Sequence, residues 1–309
     1  MSLYVVTGGA GFIGSHLTDA LLAHGHIVRV VDDLSSGRCE NLDSRVELML
    51  GDVADATLMR RALDGAVGVF HLAAIASVAR SNEDWIGTHR TNLTGTVTVL
   101  DAARQAGRIP VVYASSAAIY GDQGEGRITE NVIPAPSTAY GADKLGSELH
   151  AKVGFGVHGV PSMGFRFFNV FGPRQDPASP YSGVISIFAA RIAKGLPLTL
   201  HGDGRQTRDF VYVDDVVRHL IAGMEVLSAT PRAEVLNVCT GRATSIAELA
   251  QTLARLDGRP LAIAFGQARA GDIRASLGSP MSATAMLGVQ ATTTLEAGLR
   301  ITMRVMAEV

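Results

Sequence analysis

VVTGGAGFIGSHL, residues 5–17, places Gly8, Gly11 and Gly14 between a β-branched run and a predicted helix. Glycines at this spacing, in this strand-to-helix context, allow a tight turn, a close approach of the backbone to a pyrophosphate and close packing of the helix on the strand. The free N–H groups and the dipole at the helix start favour an anion. The stretch therefore predicts a dinucleotide-binding turn at the start of an α/β domain.

Around this turn, short apolar runs alternate with helical stretches through the first half of the chain. The predicted strands cover residues 3–7, 27–31, 46–50, 67–72, 109–114 and 161–168. The predicted helices cover residues 13–24, 56–64, 84–105 and 139–158. Because the strands are continuously apolar, they suit a parallel sheet covered on both faces. The fold class is therefore α/β, with a doubly wound parallel sheet of the Rossmann type.

The composition changes after about residue 168. FNVFGPRQDPASPYSG, residues 168–183, is rich in Gly, Pro and polar residues and predicts a substrate-facing loop. Beyond it we expect helices over residues 183–194, 214–227 and 245–256, and a strand over 198–201. That is too little sheet for an independent fold. We therefore expect a dinucleotide-binding domain (1–168) and a second, smaller α/β substrate lobe (169–309), with segments near 207–240 returning to the first domain.

The overall charge does not favour a nucleic acid or a membrane surface. The chain has 27 basic and 29 acidic residues, a net charge of -2, and no basic block. Its N-terminus lacks the features of a signal peptide, and its longest apolar run, residues 66–79, is too short to span a bilayer. Cys39 and Cys239 have no metal-type spacing. We expect a soluble cytoplasmic protein without a metal site.

Acidic residues follow the second and third predicted strands. Asp32, eighteen residues past Gly14, is placed to accept hydrogen bonds from the adenosine ribose, and its charge would repel a 2′-phosphate, so NAD is favoured over NADP. Arg38 leaves NADP open, because it can pair with a phosphate. Asp52 is either an adenine ligand or a turn cap. His71 is interpreted as a strand-end residue rather than a catalytic one.

Tyr140 and Lys144 lie four residues apart on a predicted helix, hence on one face. A cation that close lowers the pKa of the phenol, which makes Tyr140 a usable general base nearer neutral pH. Ser116 ends a strand of the same predicted sheet and can hydrogen-bond the same substrate hydroxyl. On another fold the Tyr–Lys pair would be a surface pair, but on a dinucleotide-binding fold the three residues predict a catalytic site.

The motif TGGAGFIG, the Ser116, Tyr140 and Lys144 set, and the segment RDFVYVDDV (208–216) resemble the extended short-chain dehydrogenase/reductase superfamily. Within it, the chain is similar from residue 3 to about residue 300 to the nucleotide-sugar epimerases typified by UDP-glucose 4-epimerase. The resemblance implies bound NAD, a UDP-sugar substrate and a homodimer formed by two helices per subunit, here 84–105 and 139–158. It assigns Tyr140 as base, Ser116 as its hydrogen-bonding partner, and Lys144 as pKa modulator and nicotinamide-ribose ligand.

The resemblance also implies sets of binding residues. The cofactor-binding residues are Gly8, Gly11, Phe12, Ile13, Gly14, Asp32, Asp33, Ser35, Gly37, Asp52, Val53, Leu72, Ala73, Ala74, Asn92, Tyr140 and Lys144. The substrate-binding residues are Ser116, Tyr140, Asn169, Val184, Arg208, Arg269 and Asp272. Asn169 and the two arginines would hold the diphosphate, since guanidinium forks onto phosphate oxygens, and Asp272 would fix the nucleotide ribose. Arg191 is a further candidate.

Two alanines in SSAAIYG, residues 115–121, bear on the reaction. Relatives that dehydrate or decarboxylate a 4-keto sugar carry acidic or amide groups where this chain has Ala117 and Ala118. We therefore expect C4 epimerisation through a transient 4-keto intermediate. A dehydratase, decarboxylase or 4-keto reductase stays open if another residue supplies the acid. A non-enzymatic NAD-binding regulator also stays open, although the Ser, Tyr and Lys set speaks against it.

Ser276 bears on the size of the substrate. At this spacing past Arg269 and Asp272, glucose/galactose enzymes of the family can carry a bulky aromatic residue that closes the sugar pocket. A small serine leaves space for an N-acetyl group at C2. The resemblance therefore implies UDP-glucose/UDP-galactose as substrate and leaves UDP-GlcNAc/UDP-GalNAc and a UDP-uronic acid open.

Overall fold

Seven parallel strands form the central sheet. They are β1 (Leu3–Thr7), β2 (Ile27–Asp32), β3 (Glu47–Leu50), β4 (Gly68–His71), β5 (Val111–Ser116), β6 (Ser162–Phe167) and β11 (Ala233–Val238). Their order in the sheet is β11-β6-β5-β4-β1-β2-β3. The computed structural model describes residues 1–176, 183–258, 262–267 and 273–307. The predicted fold class is confirmed. Because the strand order reverses beside β1, a crevice opens at the carboxyl ends of β1 and β4.

Helices cover both faces of this sheet and pack around the shorter strands of the second half of the chain. They are α1 (Phe12–Ala23), α2 (Ala56–Ala62), α3 (Val78–Glu83), α4 (Trp85–His89), α5 (Gly95–Gln105), α6 (Ala139–His158), α7 (Val184–Ala193), α8 (Val213–Ala229), α9 (Ile246–Asp257), α10 (Met281–Leu287) and α11 (Leu295–Ala307). On one face, Leu17 of α1 and Leu220 of α8 belong to a buried apolar core. On the other face, Met59 of α2 and Val99 of α5 belong to a second core. None of the helices in the described part of the chain has the length and hydropathy needed to cross a bilayer.

The glycine turn joins β1 to α1 without room for side chains. Gly8 has a φ of +69°, a conformation that glycine adopts without strain. A Cβ added to Gly14 would lie 2.0 Å from the carbonyl oxygen of Gly8, and one added to Gly8 would lie 2.6 Å from the Ala73 nitrogen. The helix begins at Phe12, and the backbone N–H of Ser15 donates to the Gly11 carbonyl. The three glycines therefore fix how closely α1 approaches the sheet.

The prediction of one continuous helix over residues 84–105 is wrong in the middle of that range. A wide π-type turn, Arg90–Thr94, separates α4 from α5. Asn92 lies in this turn, fully buried, and bonds with both ends of its amide to the backbone of Ile75. The wider turn accommodates this contact, which helical periodicity in the sequence does not reveal.

The second half of the chain has more short strands than predicted. Three two-stranded sheets form outside the central sheet: β7 (Asn169–Phe171) with β10 (Phe210–Tyr212), β8 (Leu198–His201) with β13 (Ile263–Gly266), and β9 (Thr207–Arg208) with β12 (Thr244–Ser245). Their core includes Phe188, Leu200 and Leu249. The predicted boundary between the two domains at residue 168 stays a prediction. β11 lies after this boundary in the chain but forms an edge strand of the central sheet, so this segment returns to the first domain.

Replacing Gly14 by Ala is expected to lower the free energy of unfolding by about 1–3 kcal/mol, because the added methyl group overlaps the Gly8 carbonyl. Thermal and urea denaturation would measure the change. Gly126→Ala is the control: this exposed loop position has no heavy atom within 4 Å of the added carbon, and alanine should change the free energy of unfolding by no more than about 0.5 kcal/mol. Equal stability of Gly14→Ala and the unmodified protein would contradict the account of the turn.

Candidate active site

A cleft of about 440 Å³ opens at the carboxyl ends of the central strands. Most residues predicted to bind the cofactor line it. They are Gly8, Gly11, Phe12, Ile13, Gly14, Asp32, Asp33, Ser35, Asp52, Val53, Leu72, Ala73, Ala74, Tyr140 and Lys144. The two predicted cofactor contacts that do not line this cleft are Gly37 and Asn92. We name this space the dinucleotide cleft.

Asp32, at the end of β2, is buried and fastens the loops on either side of it. Its Oδ2 accepts the N–H of Ala10, and its Oδ1 accepts the N–H of Leu34, both at 2.9 Å. Burial raises the pKa of this carboxyl, while the two N–H bonds lower it. A Cβ on Gly37 would lie 2.8 Å from the Ala10 Cβ and 2.9 Å from Asp32 Oδ1. Gly37 therefore packs the loop against the glycine turn and does not face the cleft.

Arg38 is paired with a carboxylate from the other rim of the cleft. Its Nη2 lies 3.4 Å from Oδ2 of Asp176, and its backbone N–H donates to the Ala10 carbonyl. Ser35 and Gln175, neighbours of the two paired residues, both line the dinucleotide cleft. The ion pair therefore bridges the rim between the loop after β2 and the segment after β7.

Asp52 caps a turn as well as lining the cleft. Its Oδ1 accepts the N–H of Ala54 at 2.8 Å, and its Oδ2 lies 3.1 Å from Nη2 of Arg90. The turn-cap interpretation is therefore confirmed. The contact between Asp52 and an adenine ring stays a prediction.

Asn92 holds one wall of the cleft in place instead of facing it. The N–H of Ile75 donates to its Oδ1 at 2.8 Å, and its Nδ2 donates to the Ile75 carbonyl at 3.1 Å. Ile75 itself lines the cleft. Each end of its amide retains one further donor or acceptor, and the direct contact of Asn92 with the cofactor stays a prediction.

His71 ends β4, as predicted, and has no access to the cleft. The hydroxyl of Thr96 donates its hydrogen to the Asn92 carbonyl, so the Thr96 oxygen accepts a hydrogen bond from Nε2 of His71. Nδ1 of His71 is then the unprotonated nitrogen, and it accepts from the Thr7 hydroxyl at 2.7 Å. Burial, with a smaller effect of the Lys144 charge, lowers the pKa of His71 to about 3. The imidazole is therefore a neutral, structural link beneath the site.

The structure brings Ser116, Tyr140 and Lys144 together at the inner end of the dinucleotide cleft. Helix α6 begins after Thr138, whose hydroxyl accepts the N–H of Gly141 at 3.1 Å, and this cap presents Tyr140 in the first turn. Ser116 lies close enough to Tyr140 for its hydroxyl to lower the pKa of the phenol. Nζ of Lys144 lies 5.9 Å from the centre of the Tyr140 ring. The catalytic roles of the three residues stay predictions.

The protonation of this set differs from the prediction. Burial raises the pKa of Tyr140, and the hydrogen bond with Ser116 lowers it less than burial raises it. Burial also lowers the pKa of Lys144 to about 8, against the opposing charge of Asp143. Burial of the phenol therefore outweighs the lowering expected from its neighbours, and the nearby ammonium of Lys144 donates to the Ala114 carbonyl at 2.8 Å. In this state the phenol is protonated at neutral pH.

Ala117 and Ala118 begin a short 3-10 turn, Ala117–Tyr120, directly after β5. Oγ of Ser116 accepts the N–H of Ala118 at 3.1 Å, which leaves the hydroxyl hydrogen of Ser116 available to Tyr140. Among the described residues, the carboxylates that line the dinucleotide cleft are Asp32, Asp33 and Asp52. Asp32 and Asp33 lie at the end of β2 and Asp52 lies after β3, on the far side of β1 and β4 from the end of β5.

A second cleft, of about 510 Å³, adjoins the first at Asn169, which lines both. Its described lining is Asn169, Val184, Ile187, Phe188, Arg191, Thr199, His201, Gln206, Arg208 and Ile246. This lining contains two arginines and no carboxylate, so it favours an anion. We name it the basic cleft. Arg208 is oriented by bonds from Nη1 to the carbonyls of Thr207 and Ile273, at 2.8 and 2.7 Å.

The predictions for the basic cleft are met in part. Arg269 and Asp272 lie outside the described residues. Ser276 donates its N–H to the Thr207 carbonyl at 3.1 Å, and it is not among the described residues that line either cleft. Its part in substrate size stays a prediction. In the ranges that the structure covers, no group of His, Cys, Asp and Glu is arranged to hold a metal ion.

Sequence reasoning missed Thr199, His201 and Gln206, which line the basic cleft. A signal for the first two was present. In β8, Leu198 and Leu200 are buried while Thr199 and His201 alternate with them, so period-2 alternation places both polar side chains on the opposite face. Gln206 lies in a loop, where no such period exists.

Known proteins resemble this chain over nearly its whole length. A UDP-glucose 4-epimerase from Mycolicibacterium smegmatis is 38% identical over 302 residues, covering 96% of this chain and 95% of the relative. A UDP-N-acetyl-alpha-D-glucosaminuronate decarboxylase from Bacillus cytotoxicus is 34% identical over 260 residues, covering 82% and 79%.

Solved structures agree with this likeness. UDP-glucose 4-epimerase from Thermotoga maritima, in complex with UDP-glucose, superposes with a TM-score of 0.94 at 36% identity, covering 99% of both chains. UDP-N-acetylglucosamine 4-epimerase from Methanobrevibacter ruminantium, in complex with UDP-N-acetylmuramic acid, gives a TM-score of 0.93 at 32% identity, covering 98% and 97%. The model of the NAD-dependent epimerase/dehydratase family matches residues 4–239, and the chain therefore belongs to that family.

Proposed function

We propose that this protein is an NAD-dependent C4 epimerase of a UDP-hexose. The observation that carries the proposal is the position of Tyr140 and Ser116, in the dinucleotide cleft where it meets a basic cleft at Asn169. One cleft suits a dinucleotide and the other suits a nucleotide diphosphate. A sugar attached to that diphosphate would place its reacting carbon near the phenol.

The dinucleotide cleft fits NAD. The open N–H groups at the start of α1 can bind a pyrophosphate, and the close packing at Gly8 and Gly14 leaves the backbone itself exposed to it. Each oxygen of Asp32 accepts one N–H bond and retains a lone pair for a ribose hydroxyl. Lys144 would hold the nicotinamide ribose. When bound, NAD supplies the acceptor and donor of hydride.

Tyr140 is the proposed base. Its phenol oxygen would take the proton of the sugar C4 hydroxyl and later return it. Ser116 would donate a hydrogen bond to the phenol oxygen or to the C4 oxygen during this transfer. Because burial raises the pKa of Tyr140, its ionisation depends on this hydrogen bond and on the charge of Lys144. The lysine, with a pKa of about 8, is mostly protonated at neutral pH and available for this role.

The basic cleft is the proposed site of the UDP group. Arg208 and Asn169 would contact the diphosphate, with Arg191 and His201 on the remaining wall. UDP-glucose and UDP-galactose are the proposed substrates, since the relatives from Mycolicibacterium smegmatis and Thermotoga maritima are named for this reaction. An N-acetylated hexose is the alternative that the Methanobrevibacter ruminantium enzyme supports.

A decarboxylase is the second candidate reaction, because the Bacillus cytotoxicus relative carries that name. The segment after β5 weighs against it. Ala117 and Ala118 supply no proton donor, and the described carboxylates of the dinucleotide cleft all lie at its β2 and β3 end. Epimerisation requires no further acid.

We also propose that two copies of the chain associate through α5 and α6. Leu149, Val153 and Val157 are 59, 53 and 71% exposed and lie at successive i, i+4 positions of α6, beside the exposed Val97 of the neighbouring α5. A second copy would cover this apolar row by a two-fold, self-complementary contact. A cytoplasmic location is proposed as well, supported by the free thiols of both cysteines.

Incubation of the purified protein with C4-deuterated UDP-glucose, without added cofactor, tests the reaction. NMR should show UDP-glucose and UDP-galactose at equilibrium, with the label retained at C4 in both. Tyr140→Phe should fold normally and lose about 10²–10⁴-fold in rate, because the ring remains while the base is lost. Release of CO₂ from a UDP-uronic acid, or a 4-keto product that accumulates, would overturn the proposal.

The rim ion pair predicts cofactor selectivity. Asp176→Asn should raise the affinity for NADP about fivefold and leave that for NAD within about twofold, because Arg38 is released to pair with the 2′-phosphate. Calorimetric titration of cofactor-free protein measures both. Asp43→Asn, which breaks the similar surface pair with Arg45, is the control. If the double variant Asp176→Asn/Arg38→Ala kept the raised affinity for NADP, the cause would be the loss of a negative charge at the rim and not the release of Arg38.

Val153→Asp should convert the proposed dimer to a monomer, because a carboxylate would be buried against the partner's apolar row. Light scattering coupled to size exclusion would report the mass. Ile301→Asp, on the exposed side of α11, is the matched control and should remain dimeric. An unmodified protein that is monomeric at micromolar concentration would refute the assembly.

A further inference from the structure

Helix α6 is fastened to the end of β5 by three side chains in one row. Tyr140, Lys144 and Glu148 follow each other at intervals of four residues and therefore share a face of the helix. Tyr140 lies beside Ser116, whose hydroxyl lowers the pKa of the phenol, Lys144 donates to the carbonyl of residue 114, and the hydroxyl of Ser115 donates to Oε1 of Glu148. The first two contacts belong to the proposed catalytic set. The third has no part in the proposed proton transfer.

Glu148 is held by a bidentate ion pair. Nε of Arg166 donates to its Oε1 at 2.9 Å and Nη2 donates to its Oε2 at 2.7 Å. The two side chains are 5 and 8% exposed. Arg166 lies on β6 directly beside Ser115 in the strand register. One buried pair therefore joins α6, β5 and β6 just behind the residues that face the cleft.

The network continues to the edge of the sheet. Nη1 of Arg166 donates to the hydroxyl of Tyr120, and that hydroxyl donates to Oδ1 of Asn237 on β11, both at 2.7 Å. Tyr120 belongs to the 3-10 turn that directly follows Ser116. The strand end that carries Ser116 is thus tied on both sides, by Ser115 to Glu148 and by Tyr120 to Arg166.

Stability alone does not account for such a pair. Removing two charges from water costs several kcal/mol per ion, and well-packed apolar residues of similar volume often replace a buried pair without loss of stability. Apolar contacts, however, do not fix the orientation of the side chains. A bidentate guanidinium–carboxylate pair fixes both the distance and the angle between its two groups. A displacement of about 1 Å at a reacting group can cost roughly 10²-fold in rate.

We propose that Glu148, charge-balanced by Arg166, is a positioning residue that sets the register of α6 on β5 and so holds Tyr140 and Lys144 against Ser116. Its effect on turnover rests on the proposed function of those three residues. Its effect on the geometry of the Ser116–Tyr140 contact does not, and that contact is measurable without a substrate.

The test uses an apolar replacement of the network, Ser115→Ala/Glu148→Leu/Arg166→Met, in the full-length protein. It removes the bonds without leaving a buried charge, and its thermal midpoint should equal or exceed that of the unmodified protein. We expect kcat to fall about 10- to 100-fold with KM within about twofold. In cofactor-free protein, ¹³C-tyrosine NMR should show a higher pKa for Tyr140, because the hydrogen bond from Ser116 that lowers it is weakened.

Asp215→Asn is the matched control. Asp215 is a fully buried carboxylate that accepts the N–H groups of Thr292 and Thr293 and pairs with Arg218, remote from the row on α6. Its loss should lower the thermal midpoint without moving the pKa of Tyr140 or kcat. This separates general destabilisation from displacement of the phenol.

A stable triple variant with unchanged kcat and an unchanged pKa of Tyr140 would overturn the proposal. If the triple variant does not fold, Glu148→Gln/Arg166→Gln, which keeps the side-chain lengths, replaces it under the same criteria; failure of both to fold would show that the network is required for folding and refute a positioning role. If the unmodified protein epimerises no UDP-hexose, the proposed function fails, and the NMR measurement still decides the positioning role.

Discussion

The rest of the structure depends on how closely α1 approaches β1. A methyl group at Gly14 would lie 2.0 Å from the Gly8 carbonyl oxygen, so the two elements touch through backbone alone. This contact aims the N-terminus of α1 at the crevice beside β1, where the strand order reverses. Asp32 then fastens the neighbouring loop to the same turn through the N–H of Ala10. A dinucleotide site forms here because the backbone leaves no side chain in the way.

Local patterns allowed much of this to be predicted from the sequence. The glycine spacing, the continuously apolar strands and the i, i+4 relation of Tyr140 to Lys144 each involve residues that are close along the chain. The parallel sheet and the convergence of Ser116 with Tyr140 follow from them, since the carboxyl ends of parallel strands meet at one edge.

Partners that are distant in sequence set the limit of prediction. Asn92 is bonded to Ile75, and Arg38 lies opposite Asp176, 138 positions away in the chain. Nothing near Arg38 in the sequence shows that a carboxylate faces it. The pKa of Tyr140 depends on distant residues in the same way: helical spacing predicts the proximity of Lys144, while the burial that raises the pKa of the phenol depends on the assembled sheet.

The strand pair β7–β10 has a mechanical consequence. The six consecutive residues from Arg166 to Phe171 connect the two clefts. Arg166 forms the buried ion pair, Asn169 lines both clefts, and the residues from Asn169 to Phe171 pair with β10. This stretch contains no linker in which a hinge could form between the two clefts. Under the proposed reaction, this stretch holds the two clefts at a fixed distance, and the sugar presents its second face by torsion about its own bonds to the diphosphate.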